Sequence, residues 1–421
     1  MKEWILKLIQ RFLQFLARWK IRRGRPKIIA ISGSYGKTST KEAIYFLLSK
    51  KFGSDVGKNW GNMNSTLGLP LAILGLRSYS FGAGLFWNII KAKWNFLFYH
   101  LPKILVLELG IDKPGEMKEL LSVFTPDIAV LTGISETHLL ELKSLSGVKK
   151  EKKMLIESLK KGDLAILNAD DENLADIEVP TGAKKITFGR EDADIFYSEP
   201  KVTISGTDFK LKIGTKIEDI SAKLIGQHSI AILLAAAAVA NEFGVDISEI
   251  KTGLEQIKSQ NGRMNLLKAK NQIIVIDDSY NSNPKSAIEA LKTLKLIDFS
   301  GRKVAVLGNM NELGGYTQKA HLQVGEEAGK VVDFLIAVGD NKEYLASGAK
   351  KSGLDQNQIA VFETTEKALE RLDNLLSAGD LVLVKASQNK MRFERIVKYL
   401  LDDPAVAEKS LVRQDKKWEK K

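Results

Sequence analysis

The 421-residue sequence predicts an α/β protein, with a central P-loop-type domain around a mostly parallel sheet and a C-terminal Rossmann-like α/β domain. Three observations carry the prediction. A β-branched apolar run over 28–31 passes through a glycine turn into an amphipathic helical pattern starting near Lys37. The runs LVLELG and DIAVLTGI, which reaches 134, repeat the buried-strand character. Beyond residue 260, the runs IIVID, KVAVLG, FLIAVG and LVLVK alternate with helical stretches.

Composition sets the frame for these elements. With 44% hydrophobic and 27% charged residues the chain can bury more than one core. The expected division is a basic amphipathic helix over 1–26, a central domain over 27–260, a C-terminal domain over 261–405 and a charged tail over 406–421. The sequence has no cysteine, which excludes disulfides, thiolate metal sites and a cysteine nucleophile and fits a reducing cytoplasm. Any metal must use oxygen or His ligands. The formal charge of +12 invites a nucleic-acid reading, but the excess is largely terminal and no recognition motif accompanies it. No nucleic-acid partner is expected, and the chain is expected to be a monomer.

The first element is the N-terminal helix. At 100° per residue Lys7, Arg11, Gln14, Arg18 and Arg22 share one stripe, and Ile5, Ile9, Phe12, Leu16 and Trp19 lie opposite. Charges interrupt the apolar positions too often for a membrane span. The helix can lie on an anionic membrane surface at the inner face of the membrane, or pack on its own domain. Residues 81–100 concentrate Phe81, Phe86, Trp87, Trp94, Phe96, Phe98 and Tyr99 around Lys91 and Lys93. Core packing is the expectation for this insertion, with a membrane interface or partner groove as the alternative.

The segment KIIAISGSYGKTSTKEAIYFLLSK has the strand, loop and helix order of a phosphate-binding loop. Gly33 and Gly36 allow close backbone approach, and amides around Ser34 and Ser39 at the helix start can face phosphates. Lys37 would neutralise the β- and γ-phosphates of ATP, and the Thr38 hydroxyl would ligate Mg²⁺. Ile31 stands where the commoner loop has its first glycine. The strand ending at Glu108 can bring an acid to that Mg²⁺, and the strand before His138 delivers a histidine just beyond its end.

GSYGKTS resembles the ATP loop of the Mur ligases of bacterial cell-wall synthesis. The blocks GNMNSTLGLP, ELGIDKPGEM, LNADDE, GQHS, NGRM, DDSYNSNPKS, VLGNMNELG and VKASQNKMRFE follow in the order of the branch that adds D-alanyl-D-alanine to a muramyl tripeptide. The resemblance implies an ATP-dependent ligase that activates a carboxylate as an acyl phosphate, with two Mg²⁺ ions. It implies that His138 helps hold the second ion together with a carbamylated lysine. The segment SGVKKEKKMLIE places that lysine at Lys152, with Lys150 and Lys153 one slip away. It also implies roles in nucleotide binding for His228, Asp278, Tyr280, Asn281 and Asn283. Arg263 would meet the transferring phosphate. Asn62, Asn64 and Ser65 would meet the muramyl-peptide substrate, and Lys385, Ser387 and Arg392 the D-alanyl-D-alanine.

Two departures accompany the resemblance. Only about 26 residues precede the first strand, too few for the UDP-binding domain with which such ligases begin, so a lipid-linked muropeptide is an alternative substrate. Ser229 and Ile232 stand where the family usually has asparagines that position adenine.

Overall fold

The computed structural model describes residues 3–79, 83–388, 391–414 and 418, so Phe81 and the end of the charged tail, apart from Trp418, lie outside the described residues. The chain forms two compact units. One comprises Met1–Glu199, Phe209–Ile220 and Ile230–Gln256, and the other Pro200–Asp208, Ser221–Ser229 and Ile257–Lys421.

The larger sheet is built from β1 (Lys27–Ser32), β2 (Val56–Lys58), β3 (Ile104–Glu108), β4 (Ile128–Leu131), β5 (Leu164–Asn168), β6 (Lys184–Gly189), β7 (Ile195–Thr203), β8 (Gly206–Ile213) and β9 (Lys216–Ala222). Its order is β2-β3-β1-β4-β5-β6-β7-β8-β9, and every pairing from β2 to β7 is parallel. Strands β1 and β3 to β5 are buried almost throughout, which accounts for their continuous Ile, Val, Leu and Ala content. The extension β7–β9, joined by two-residue turns, has no counterpart in the sequence prediction.

The helices with this sheet are α1 (Glu3–Gly24), α2 (Lys37–Phe52), α3 (Gly68–Ile73), α4 (Ala83–Phe98), α5 (Glu116–Leu121), α6 (Leu139–Leu142), α7 (Leu145–Glu157), α8 (Gln227–Glu242) and α9 (Ile247–Leu254). α2 starts at Lys37, as the sequence predicts. α1 packs on its own unit through Leu13, Leu16 and Ala17, all buried in the core beside Ile28 and Leu105. A second apolar face of α1, carrying Trp4, Leu8, Phe12, Phe15 and Trp19, remains exposed. α4 corrects the expectation of core packing for the aromatic insertion. It buries Leu85 and Ala92 and leaves Phe86, Trp87, Ile90, Trp94, Leu97 and Phe98 outside. Among the described residues no helix is long and apolar enough to cross a membrane.

The second sheet uses β10 (Asn265–Lys268), β11 (Ile274–Asp278), β12 (Lys303–Gly308), β13 (Phe334–Val338), β14 (Ile359–Phe362) and β15 (Leu381–Lys385) in the order β10-β11-β15-β12-β13-β14. β10 runs antiparallel to β11 and the other pairings are parallel. The four strands that the sequence reveals are β11, β12, β13 and β15. α10 (Pro284–Leu296) follows β11, and two apolar clusters fill the unit, one around Leu291 and Leu335 and the other around Val382 and Phe393.

Candidate functional site

In the larger sheet β1 sits between β3 and β4, and the chain leaves β1 toward β2 on one side but leaves β4 toward β5 on the other. The loops at the carboxyl ends of these three strands therefore meet at a topological switch point, where open α/β sheets bind ligands. The loop after β1 is GSYG. Its Gly33 has φ 152°, and a Cβ there would lie 2.0 Å from Thr132 Oγ1 on the loop after β4, so only glycine fits. Gly36 has φ 74° and forms the N-cap of α2 without a side chain, leaving the positive end of the helix facing the loop.

Around this loop the predicted residues converge. Lys37 Nζ donates to Gly33 O at 2.7 Å, which folds the ammonium back over the loop. Ser34 ties the loop to the one after β4, its Oγ donating to Ser135 O at 3.1 Å and accepting from Ser135 N at 3.0 Å. Thr38 Oγ1 donates to Glu108 Oε1 at 3.1 Å. Ser39, one residue on, is half-buried on α2.

Glu108 is the most constrained acid of this set. Asn64 Nδ2 donates to its Oε1 at 2.8 Å, and its backbone N–H donates to Asn59 Oδ1 at 2.8 Å. Its Oε2 takes no hydrogen bond although it is buried, and sees the ammonium of fully buried Lys41 at 3.5 Å. A buried carboxylate oxygen without a hydrogen bond, beside a threonine hydroxyl, suits a hard cation that keeps waters and binds phosphate oxygens. Among the described residues no three His, Asp or Glu side chains converge as a complete metal cage. The donor set present thus fits Mg²⁺ held partly by nucleotide phosphates.

Of the predicted muramyl-peptide residues, Asn64 is engaged by Glu108, Ser65 Oγ accepts from Gly68 N at 3.1 Å at the start of α3, and Asn62 lies exposed on the same loop.

His138 follows β4 in a left-handed conformation at φ 55°, and its Nε2 lies 3.4 Å from Asp112 Oδ1. The three candidate lysines of α7 separate clearly. Lys150 is exposed, Lys153 pairs with Glu157 at 3.2 Å on the helix surface, and Lys152 is buried. Burial, and then the charge of Lys37, hold the Lys152 amine well below the usual lysine range, against the opposing pull of Asp112 and Glu151. Lys152 thus faces the phosphate-loop lysine from a different element.

Sequence reasoning missed the support beneath the loop. Tyr35 OH donates to Asp171 Oδ2, which also accepts from Ile134 N at 2.9 Å, so a buried aspartate locks the loops after β1 and β4 together. The signal was in the block LNADDE, which carries Asp171 without indicating its partner. Lys41 was likewise hidden, since a lysine one turn into a helix reads as a solvated residue.

The second unit gathers the other predicted residues. β11 and β15 are parallel neighbours with Asp278 in register with Lys385. Lys385 Nζ donates to Asp278 Oδ2 at 2.5 Å and to Asn281 O at 3.1 Å, both ends being largely buried. The Arg263 guanidinium lies 4.4 Å from the Tyr280 ring centroid, a cation–π geometry. His228 Nδ1 lies 3.4 Å from Thr293 Oγ1, and burial pushes its pKa down although Asp278 and Glu289 oppose this. Ser229 Oγ donates to Gly226 O at 2.6 Å.

Three members of this set have structural ties of their own. Asn283 caps α10, its side chain accepting from Ser286 N at 2.8 Å, with Pro284 at the first helical position. Ser387 Oγ donates to Ser282 O at 2.8 Å and accepts from Asn311 N at 3.0 Å. Arg392 is ion-paired with Glu394 and donates to Trp418 O at 2.8 Å.

Comparison with known proteins gives concordant matches. Residues 31–240 match the Mur ligase middle domain, and residues 262–388 match the Mur ligase, glutamate ligase domain. The chain is 28% identical over 397 residues to the UDP-N-acetylmuramoyl-tripeptide–D-alanyl-D-alanine ligase of Bacillus subtilis, covering 93% of this chain and 79% of the relative. Among solved structures it resembles MurF from Acinetobacter baumannii, with TM-score 0.80 and 26% identity over 94% of this chain and 81% of the other. It also resembles MurF ligase from Thermotoga maritima in complex with ADP, with TM-score 0.77 and 27% identity over 93% and 83%.

Proposed function

We propose that this chain, which belongs to the Mur ligase family, joins D-alanyl-D-alanine to a muramyl tripeptide with cleavage of ATP to ADP and phosphate. The observation that carries the reading is Glu108, buried behind the glycine loop with one oxygen bonded to Thr38 and the other without a hydrogen bond. The names of the relatives supply the substrates, and the ADP complex of the Thermotoga maritima enzyme supports the nucleotide.

In this mechanism the tripeptide's terminal carboxylate oxygen attacks the γ-phosphorus, the bond to the β-phosphate oxygen breaks, and ADP leaves. The product is an acyl phosphate. The amine of D-alanyl-D-alanine then attacks the acyl carbon, loses a proton, and the tetrahedral intermediate expels phosphate. Lys37 moves from Gly33 O to the β- and γ-phosphates, and the amides at the start of α2 hold the phosphoryl oxygens as charge spreads over them. Arg263 adds fixed donor geometry to the same transfer.

Thr38 and Glu108 would hold one Mg²⁺, and His138 with a carbamate on Lys152 would hold a second; the ions would supply charge neutralisation for the phosphates. The lowered pKa of buried Lys152 supports the carbamate, because only a neutral amine adds to carbon dioxide. His228, Asp278, Tyr280 and Asn281 are assigned to the nucleotide, and Lys385, Ser387 and Arg392 to the amine substrate. The division into a nucleotide-binding domain over 27–260 and a second domain over 261–405 belongs to the same proposal, as does a cytoplasmic location.

Phosphate release measured with muramyl tripeptide and D-alanyl-D-alanine, each omitted in turn, tests the reaction. Release should require both substrates. Release indifferent to either one overturns the ligase assignment.

A further inference from the structure

The exposed faces of α1 and α4 are unusual for helices that already bury another side. Phe15 is 61% exposed, Trp87 67% and Trp94 66%. These side chains are not displaced core residues, because Leu13, Leu16 and Ala17 on α1 and Leu85 and Ala92 on α4 fill the core contacts. Each helix thus carries a second, largely solvent-exposed apolar surface.

The two helices, about 70 residues apart in sequence, are fastened into one surface. Lys20 Nζ donates to Phe96 O at 2.8 Å and to Asn95 O at 3.2 Å, capping the last turn of α4. The Trp19 and Phe96 rings lie 5.2 Å apart, and the Lys93 ammonium lies 5.4 Å from the Phe12 centroid.

Charge identifies the occupant. Lys7, Arg11, Arg22, Arg23, Lys91 and Lys93 are exposed on the two helices, and Glu3 is the only acid in either. At 100° per residue Lys91 and Lys93 fall at opposite edges of the arc holding Trp87, Ile90 and Trp94. On α1 the exposed aromatics border the stripe of Lys7, Arg11 and Arg22. Tryptophan between cations suits the boundary of headgroup and acyl chain, where the ring is half in hydrocarbon and the cation reaches phosphate. A two-fold pairing with a second copy would set one cationic rim against another.

We propose that α1 and α4 together form a docking surface for an anionic lipid bilayer, on which this protein lies peripherally. The proposal does not depend on the ligase assignment, since none of its residues belongs to the phosphate-loop cluster. The aromatic side chains enter the interface to a depth of about 5–10 Å, and the rim cations contact anionic headgroups.

Flotation of the full chain with two kinds of vesicle tests this. One is phosphatidylcholine alone and the other an equal mixture with phosphatidylglycerol. The chain should float with the mixture and much less with phosphatidylcholine alone. Lys91→Gln/Lys93→Gln should lower partitioning at least ~10-fold, from about fivefold per cation. Trp87→Ser/Trp94→Ser should lower it by a similar factor, with the thermal midpoint unchanged because both rings are outside the core. Failure to float with the anionic mixture, or flotation unaltered in both variants, overturns the proposal. Lipid-free self-association abolished by Trp87→Ser/Trp94→Ser, without flotation of the parent, would assign the surface to a second copy and overturn it as well. Substrate-dependent phosphate release by the same soluble variants reports separately on the ligase reaction.

Discussion

Lys152 shows how one side chain's surroundings decide its chemistry. Four lysines, Lys149, Lys150, Lys152 and Lys153, share α7, and Lys152, the buried one, is held well below the usual lysine range. Lys152→Ala is expected to reduce substrate-dependent phosphate release at least ~100-fold, whereas Lys150→Ala and Lys153→Ala should stay near the parent rate. A carbamate signal in ¹³C spectra with labelled bicarbonate, absent from Lys152→Ala alone, gives an independent check. Asp277 offers a second prediction. Burial pushes its carboxyl from the ordinary 3.8 up to about 6, and its Oδ2 lacks a hydrogen bond. Between those values the folded state keeps a proton that the unfolded state releases, so this group lowers stability as pH rises through the window and fully above about 6. Asp277→Asn, which keeps the acceptor used by Ser279 N, should raise unfolding free energy at pH 7 by about 3 kcal/mol and flatten the slope in the window. Neither property was legible in the sequence, because desolvation depends on neighbours brought from other elements. The alignment of the family blocks singled out Lys152, but only packing separates it from the lysines one slip away.

Among the elements, α10 starts where sequence chemistry says a helix should, at Asn-Pro with a serine three residues on. Asn283→Ala is therefore expected to cost about 1 kcal/mol in urea unfolding, through loss of the N-cap bond. Strands β1, β3 and β4 of the first sheet and β11, β12, β13 and β15 of the second were readable, since parallel strands covered on both faces appear as unbroken apolar runs. The helix starting at Lys37 follows from its glycine turn. The β7–β9 extension was not readable, because its strands mix buried and exposed positions irregularly and offer neither a clean alternation nor an apolar run. The aromatic content of α4 pointed inward by composition, and only three-dimensional packing shows that Leu85 and Ala92 suffice for its core contacts. Of the site, the phosphate loop, Glu108 and His138 could be read because each closes a recognisable strand. The Tyr35–Asp171 and Lys41–Glu108 links could not, since they join residues 136 and 67 positions apart by side chains alone.

For the molecule as a whole, binding at the loop after β1 should appear as global stabilisation, because a ligand that binds only the folded state adds its binding energy to folding. MgATP at a hundredfold excess over its Kd should add about 2.7 kcal/mol, and Lys37→Ala should abolish the upward shift in thermal unfolding. The order of the second sheet has a consequence for how the chain reaches that folded state. β15, the last strand in sequence, lies between β11 and β12, more than 70 residues behind both. During synthesis those two strands emerge early with a vacancy between them. Their inner edges stay unpaired, and open to wrong partners, until the ribosome has delivered the segment ending at Lys385.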